Sequence, residues 1–398
     1  MKKQFSIPKG FVFSAVKSGL KASGNPDLAL AEAPLGASAA AMFTKNKVVA
    51  APITVGKENL KRTRGRIRAV LVNAGNANCG TGASGYAAAK ATCDAAAALL
   101  SVAPEFILPS STGVIGVQLP TEKVCGALPA LVNARAGTAE GVTQFAQAIM
   151  TTDTRPKLAS AEVAVGRKTA TVLGIAKGSG MIHPSMATML VYLFTDAGVA
   201  PAVLKSVLKN AVDPTFNRIS VDGDTSTNDT VALLASGVGP KISGGSALKH
   251  FESAVQQVCA SLAHQIVSDG EGVKHVVRLT VEGAKTDKQA DQIARTISHS
   301  LLVKTAWAGA DPNWGRILAA VGRSGVPVDP ASVSVHIGEH QVCAHGGAVK
   351  FNAKSVHKLM QEAEYPIRVK VGAGNGTVEL LTCDLTTDYV HINADYST

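Results

Sequence analysis

The chain has 398 residues, of which 46 % are hydrophobic but only 4 % aromatic, with 38 glycines. That length supports a sizeable core in two or three domains, and the residue balance predicts layers of small side chains packed closely. Thirty-nine basic against 29 acidic residues give a net charge of +10, yet the densest basic run, Lys57 to Arg68, has no interleaved aromatics and runs straight into the apolar Ala69-Val-Leu-Val72. It reads as a solvated connection rather than a nucleic-acid surface, and the charge suits attraction of anionic metabolites.

No apolar run approaches the length of a membrane span. Met1-Lys-Lys resembles the start of a signal peptide, but Pro8-Lys9-Gly10 interrupts it, so a cytoplasmic protein is expected. The six cysteines are scattered without a C-x-x-C spacing and read as reduced structural thiols, with no zinc motif.

In chain order, Gly10 to Phe13 and Val48 to Val55 read as strands. Arg66 to Val72 is a buried strand ending in the Gly/Asn loop 73–82, followed by an alanine-rich helix from about Ser84 to Leu100. Strand, Gly/Asn loop and helix is also the layout of a phosphate loop, but neither G-x-G-x-x-G nor G-x-x-x-x-G-K-[ST] is present, and a packed turn is favoured. Phe106-Ile-Leu leads into Pro109-Ser-Ser-Thr-Gly113, an ordinary polar turn or a pair of donors aimed at one point. Helices are predicted over Thr121 to Ala134 and Thr138 to Met150, each with Thr at its N-cap.

Strands at about 161–166 and 169–176 lead to Lys177-Gly-Ser-Gly-Met-Ile-His-Pro-Ser-Met-Ala-Thr188, and the apolar run through Thr195 reads as the next buried strand. A Thr after a small residue at the mouth of a core strand suits one chemistry. Attack of its hydroxyl on the Ala187 carbonyl turns the amide into an ester; water then releases it, leaving Thr188 as a new N-terminus. An α-amine with a reference pKa of about 8 is able to act as base for its own hydroxyl. The plainer reading is a Thr that opens a strand. Lys177 is either a solvated lysine or a holder of a substrate carboxylate. His183 invites a relay reading, but it sits in the segment that must bend for cleavage, and a catalytic role is not favoured.

Further on, a helix spans Pro201 to Val212, and the loop to Asn228 carries Asp222 and Asp224, with Asp229 just beyond. Their spacing lacks the Gly and terminal Glu of a calcium loop, so turn and capping roles are expected. A helix over Ser246 to Val267 stops at Ser268-Asp-Gly, with Glu271 next, on its own merely a loop glutamate. Strand 275–282, helix 286–303, strands within 332–352, helix 353–363 and a hairpin at Asn375-Gly376 follow. The polar end Asn393 to Thr398 reads as a loose tail.

The run 177–190 resembles the signature of the ornithine acetyltransferase (glutamate N-acetyltransferase) family. Asn73 to Asn78, Ser111 to Gly116, Met150 to Thr154, Ser220 to Asn228, Asp269 to Gly272, Asp311 to Arg316 and Ile392 to Thr398 resemble further family blocks in the same order. The likeness departs from the usual pattern after Glu271, where Gly272-Val-Lys-His275 is one residue short, at Trp307-Ala-Gly, and at Ser397. The resemblance implies a mixed α/β fold, an αββα layered sandwich with a smaller C-terminal lobe. It implies self-cleavage between Ala187 and Thr188 into segments 1–187 and 188–398, with Thr188 as acyl nucleophile and Thr112 and Gly113 as the oxyanion hole. Thr152, Lys177, Thr188, Glu271, Asn393 and Thr398 would bind substrate, with Glu271 taking its amino group. The implied reaction moves acetyl from N2-acetylornithine to glutamate in arginine biosynthesis, without metal or organic cofactor, acetyl-CoA being a possible second donor. The assembly implied is a heterotetramer of two N-terminal and two C-terminal chains. The rival is an N-terminal-nucleophile amidohydrolase or aminopeptidase of the same superfold, which passes the acyl group to water.

Overall fold

The computed structural model describes residues 5–183 and 189–395. Its first sheet is built from β1 (Val12–Val16), β2 (Leu28–Phe43), β3 (Arg66–Asn76), β4 (Ile107–Val114), β5 (Lys157–Val165), β6 (Lys168–Lys177), β7 (Leu190–Thr195) and β8 (Thr230–Ala235). The strand order is β4-β3-β2-β8-β7-β6-β5, with β1 added on β2. The long strand β2 serves two neighbours. Its first half pairs with β3 from Leu28↔Asn73 onward, the register shifts between Glu32 and Ala37, and from Ser38↔Ala235 onward it pairs with β8. A bulge bends a strand and adds twist, so the sheet folds back on itself and its two halves face each other.

The period-2 alternation of each strand then separates an inner from an outer face. In β7, Leu190, Tyr192 and Phe194 point inward with Leu173 and Ile175 of β6, against Ala29, Ala31, Val70 and Val72 of the opposite half. The few aromatics concentrate here: Phe13 meets Phe194 edge-on at 5.1 Å, and Phe145 meets Tyr192 at 5.8 Å between ring centres. Val191 and Leu193 point outward onto α5 (Pro201–Val212) and α6 (Gly245–Val267). Gly174 permits that approach, since a Cβ there would sit 2.5 Å from a Val258 methyl. On the other outer face Leu28, Leu30, Ala69 and Leu71 meet α2 (Gly82–Leu100) and α3 (Thr121–Asn133). The result is the expected αββα sandwich. Buried Glu32, at the bend of β2, accepts from Arg68 Nε at 2.7 Å and from Arg135, which gives one arginine of the basic run a structural task.

The smaller lobe has its own core around β9 (Val276–Ala284), β10 (Ser334–Ile337), β11 (His340–Ala344), β12 (Gly347–Ala348), β13 (Glu364–Lys370) and β14 (Gly376–Cys383). Helices α7 (Asp287–Ser298), α8 (Leu301–Ala308), α9 (Trp314–Gly322) and α10 (Ala353–Met360) belong to the same lobe.

Several sequence expectations are corrected. Residues from Ala51 form α1 (Ala51–Arg62) rather than a strand, because Pro52 suits a first helical turn, where its missing N–H costs nothing. Pro120, not Thr121, holds the N-cap position of α3, whereas Thr138 does cap α4 (Ala139–Ala148) by accepting the Gly141 N–H at 3.2 Å. The predicted helix 286–303 is two helices, the second capped by Ser300. Asn375-Gly376 closes no hairpin: β13 and β14 flank β9, one parallel and one antiparallel. Of the polar end, residues 393–395 close helix α11 (Thr387–Asp395) rather than forming a loose tail, and 396–398 lie outside the described residues.

Candidate active site

Strands β6 and β7 are antiparallel neighbours, with Lys177 opposite Leu190, and β8 lies parallel to β7 with Thr230 opposite Leu190. At this end of the sheet a cavity of about 260 Å³ is lined by Thr112, Gly113, Thr152, Lys177, Glu271 and Asn393, among others. Six residues singled out in the sequence therefore meet at one place, although they come from β4, the loop after α4, β6, the loop after α6, and α11. Ala187, Thr188 and Thr398 lie outside the described residues. The segment resumes at Met189, whose N–H donates to Asp229 Oδ1 at 3.0 Å.

Thr112 and Gly113 lie just before the last residue of β4. Gly113 has φ of +129°, and a Cβ there would lie 2.3 Å from the Gly75 carbonyl carbon, so only glycine fits beside the end of β3. The two strand ends are tied by Asn228, whose Nδ2 donates to the carbonyls of Ala77 (2.6 Å) and Ser111 (2.9 Å), and by the Ser111 hydroxyl on Asn73 Oδ1 at 2.6 Å. The Asn-rich loop is thus a buttress for the Thr-Gly turn.

Lys177 is buried and donates to Thr151 Oγ1 at 2.7 Å and Thr112 Oγ1 at 3.4 Å. A lysine has only donors, so the Thr112 hydroxyl must accept here and its own proton is left to point elsewhere. Burial lowers the Lys177 pKa and Lys157 lowers it further, while Asp153 works in the opposite direction. Asp153 is held at about 2: burial alone would raise it, but the charges of Lys177 and Lys157 and a hydrogen bond from the Gly178 N–H (2.7 Å) outweigh that. Lys157 Nζ also reaches Asp269 Oδ2 at 2.6 Å, the same distance as to Asp153 Oδ1. Asp269 in turn accepts the N–H of Thr154 at 3.1 Å. Two aspartates and two lysines thus form a buried floor that joins the loop after α4 to the loop after α6.

Another part of the lining is built around Glu271, which is buried rather than an exposed loop residue. Its N–H donates to the Ser179 carbonyl at 3.0 Å, while the Ser179 and Thr152 hydroxyls are 2.7 Å apart. A Cβ on Gly180 would stand 2.3 Å from Glu271 Oε2, so this glycine makes room for the carboxylate. Asn393 Nδ2 donates to the same oxygen at 2.8 Å, which brings α11 over the cavity. Asp222 accepts the N–H groups of Met181 and, at 2.8 Å, Ile182, and receives the Tyr389 hydroxyl at 3.4 Å. Burial raises the Asp222 pKa to about 6. The expected capping role of Asp222 is observed, with a left-handed Met181 (φ +57°) as part of the turn. His183 does not line this cavity; its ring packs on His299 at 4.7 Å.

Asp153, Lys157, Asn228 and Tyr389 were given no role by sequence reasoning. Asp153 and Asn228 fall inside family-like blocks, which was their only signal, and Lys157 had none. Among the described residues no group of three or more His, Cys, Asp or Glu is placed to hold a metal ion, and no helix is long and apolar enough to cross a membrane.

A folded-over α/β sandwich with a buried lysine and a buried carboxylate lining one cavity suits an enzyme that handles a small charged molecule. Its kind is fixed by comparison. A family model described as the ArgJ family matches residues 12–398, and the arginine biosynthesis bifunctional protein ArgJ of Methylococcus capsulatus is 45 % identical over 395 residues, 98 % of this chain and 95 % of that protein. The chain belongs to the ArgJ family of enzymes. Among solved structures, the ArgJ bifunctional protein of Bacillus halodurans is 40 % identical, covering 50 % of this chain and 96 % of that one, with a TM-score of 0.48. Ornithine acetyltransferase of Mycobacterium tuberculosis, complexed with ornithine, is 39 % identical, covering 45 % and 93 %, with a TM-score of 0.40.

Proposed function

We propose that this enzyme transfers acetyl from N2-acetylornithine to glutamate through an acetyl-Thr188 intermediate, after cutting itself between Ala187 and Thr188. The observation that carries the reading is the meeting of Thr112, Gly113, Thr152, Lys177, Glu271 and Asn393 in one cavity, at the end of the strand pair that flanks the cut. Thr188 Oγ attacks the acetyl carbonyl, and its own α-amine takes the hydroxyl proton. The Thr112 hydroxyl, freed to donate because Lys177 occupies its acceptor side, and the Gly113 N–H stabilise the tetrahedral oxyanion. Collapse expels the α-amine of ornithine, which recovers the proton. The amine of glutamate then attacks the acetyl ester and regenerates Thr188. Lys177 holds a substrate carboxylate, Glu271 the substrate's amino group, and Asn393 orients Glu271, with Thr152 and Thr398 completing the site. No metal or organic cofactor enters the proposed cycle, and acetyl-CoA is a candidate second donor of acetyl.

The remaining parts of the reading follow the family: a cytoplasmic heterotetramer of two 1–187 and two 188–398 chains. The experiment is denaturing mass analysis followed by kinetics. The protein is expected as two chains, with Thr188→Ala uncut and inactive. Double-reciprocal plots for the two substrates should be parallel, and acetylornithine alone should add about 42 Da to the 188–398 chain, as nucleophilic catalysis requires. An uncut but active protein, or intersecting lines with no adduct, would overturn the covalent cycle. Release of acetate without transfer to glutamate would make the enzyme a hydrolase.

A further inference from the structure

A second cavity, of about 470 Å³, lies on the far side of the segment 181–183, between α7, the C-terminal end of α9 and His183. Helix α7 has two faces. Ala290, Ile293, Ala294 and Ile297 bury into the core of the small lobe, while Lys288, Asp291, Gln292, Arg295 and Thr296, at helical spacing, face the cavity. Arg323, just beyond α9, completes the wall. The single acid in this lining is already engaged, with Arg295 Nε on Asp291 Oδ2 at 2.6 Å. Among the described residues neither Lys288 nor Arg323 has a carboxylate within 4.0 Å, and the Arg323 guanidinium donates to the Thr296 carbonyl at 3.3 Å. Three cations against one carboxylate leave this cavity with a net charge of +2.

The two histidines at its edge bear the mark of that charge. His183 packs on His299, and His299 Nε2 lies 3.1 Å from the Ser220 hydroxyl. The His299 pKa falls to about 3, through burial first and then through His183, Lys304, Arg295 and Arg323. Close-set cations without counter-ions repel one another, and arginine forks favour flat or tetrahedral oxyanions that take two hydrogen bonds at once.

We propose that this second cavity is a binding site for a phosphate or phosphoester group, held chiefly by Arg323 and Lys288, with Arg295, whose guanidinium also donates to the Asn217 carbonyl at 3.4 Å, beside them. The site is separate from the acetyl-transfer cavity but adjoins it through the chain. His183 follows Ile182, whose N–H is fixed by Asp222 in the wall of the first cavity, so an occupant touches the segment that leads toward residue 188.

The test is calorimetric titration of the intact protein with inorganic phosphate and, separately, with coenzyme A, alone and with saturating acetylornithine. Saturable binding is expected from at least one of the two, undisturbed by acetylornithine, and weakened roughly tenfold in Arg323→Gln and severalfold in Lys288→Gln, as loss of a charge-assisted contact requires. Both side chains are exposed, so neither variant disturbs the core, and matching thermal unfolding checks that. Equal affinities assign the site to free phosphate; tighter binding of coenzyme A, weakened by the same variants, assigns it to a phosphoester end. No saturable binding, binding unchanged in both variants, or displacement by acetylornithine overturns the proposal.

Discussion

The inner face of the small lobe's sheet and the floor of the cavity are both buried, by opposite means. In β13, Tyr365, Ile367 and Val369 turn inward while Pro366, Arg368 and Lys370 stay in solvent, and the inward set packs with Leu279, Val281, Val335 and Ile337. Beneath the cavity the buried groups are Asp153, Lys157, Lys177 and Asp269, held by hydrogen bonds of 2.6–2.7 Å. Apolar burial has no direction and tolerates a change of shape, whereas a buried charge depends on every partner. The small lobe should therefore absorb substitutions that the floor does not.

The sharpest way to break this contrast is Asp153→Asn. It removes the anion shared by two buried lysines and is expected to destabilise the fold by about 3–5 kcal/mol, the cost of leaving a buried charge unpaired. Urea unfolding measures it, and a loss below about 1 kcal/mol would show that the floor is not held by charge. Next comes Thr112→Ala, which touches the floor only through Lys177. On fully cleaved protein, kcat should fall by about 10²–10³ with KM little changed, because the proposed oxyanion role has the hydroxyl act only where charge develops. Lys177 Nζ stands 3.4 Å from Thr112 Oγ1, so Lys177→Ala should affect kcat as well as KM, which couples two roles that lie on separate loops of the sequence.

Asp222 sharpens the comparison through pH. Its folded pKa, about 6, lies above the ordinary aspartate value of 3.8, so the folded state binds the proton more tightly. That contribution to stability is fully present below about pH 4 and is lost as pH rises through about 6. Asp222→Asn should remove this part of the pH dependence between those limits, as read from unfolding midpoints across the range; an unchanged pH profile would mean that Asp222 titrates normally. The smallest effect is expected in the lobe, where Ile367→Val should cost only about 0.5–1.5 kcal/mol, with acetyl transfer unaltered. A loss as large as that of Asp153→Asn would erase the distinction.

The same contrast explains what could be read in advance. Strands β6 and β7 and the helix Pro201–Val212 announce themselves through periodicity, because area burial writes itself into the spacing of apolar residues, whereas the αββα sandwich comes only from likeness to a family. Thr112, Lys177 and Glu271 were legible only through likeness to a family; their surroundings in sequence are those of common turns. Lys157 was illegible, since a lysine opening a strand gives no hint of two aspartates from distant loops. The pairing of β9 between β13 and β14 escaped for a related reason. A Gly turn between two alternating segments reads as a hairpin, and only the parallel partner Val277, opposite Tyr365 and far away in sequence, decides otherwise.

The adjacency of β6 and β7 bears on what the proposed cut does to the molecule. Their ladder runs from Lys177↔Leu190 to Val172↔Thr195, and β2 runs alongside β8 from Ser38 to Phe43. A break between 187 and 188 leaves β1–β6 on one piece and β7 and β8 on the other, zipped together in the middle of a single sheet. The cut protein then behaves as an obligate complex of two fragments rather than as a nicked chain. Folding that was unimolecular becomes, once the pieces part, an encounter between two species, so the stability of the cut form depends on its concentration. Cleavage is thus a one-way commitment, because a fold assembled as one chain is kept afterwards by partners that have never had to find each other.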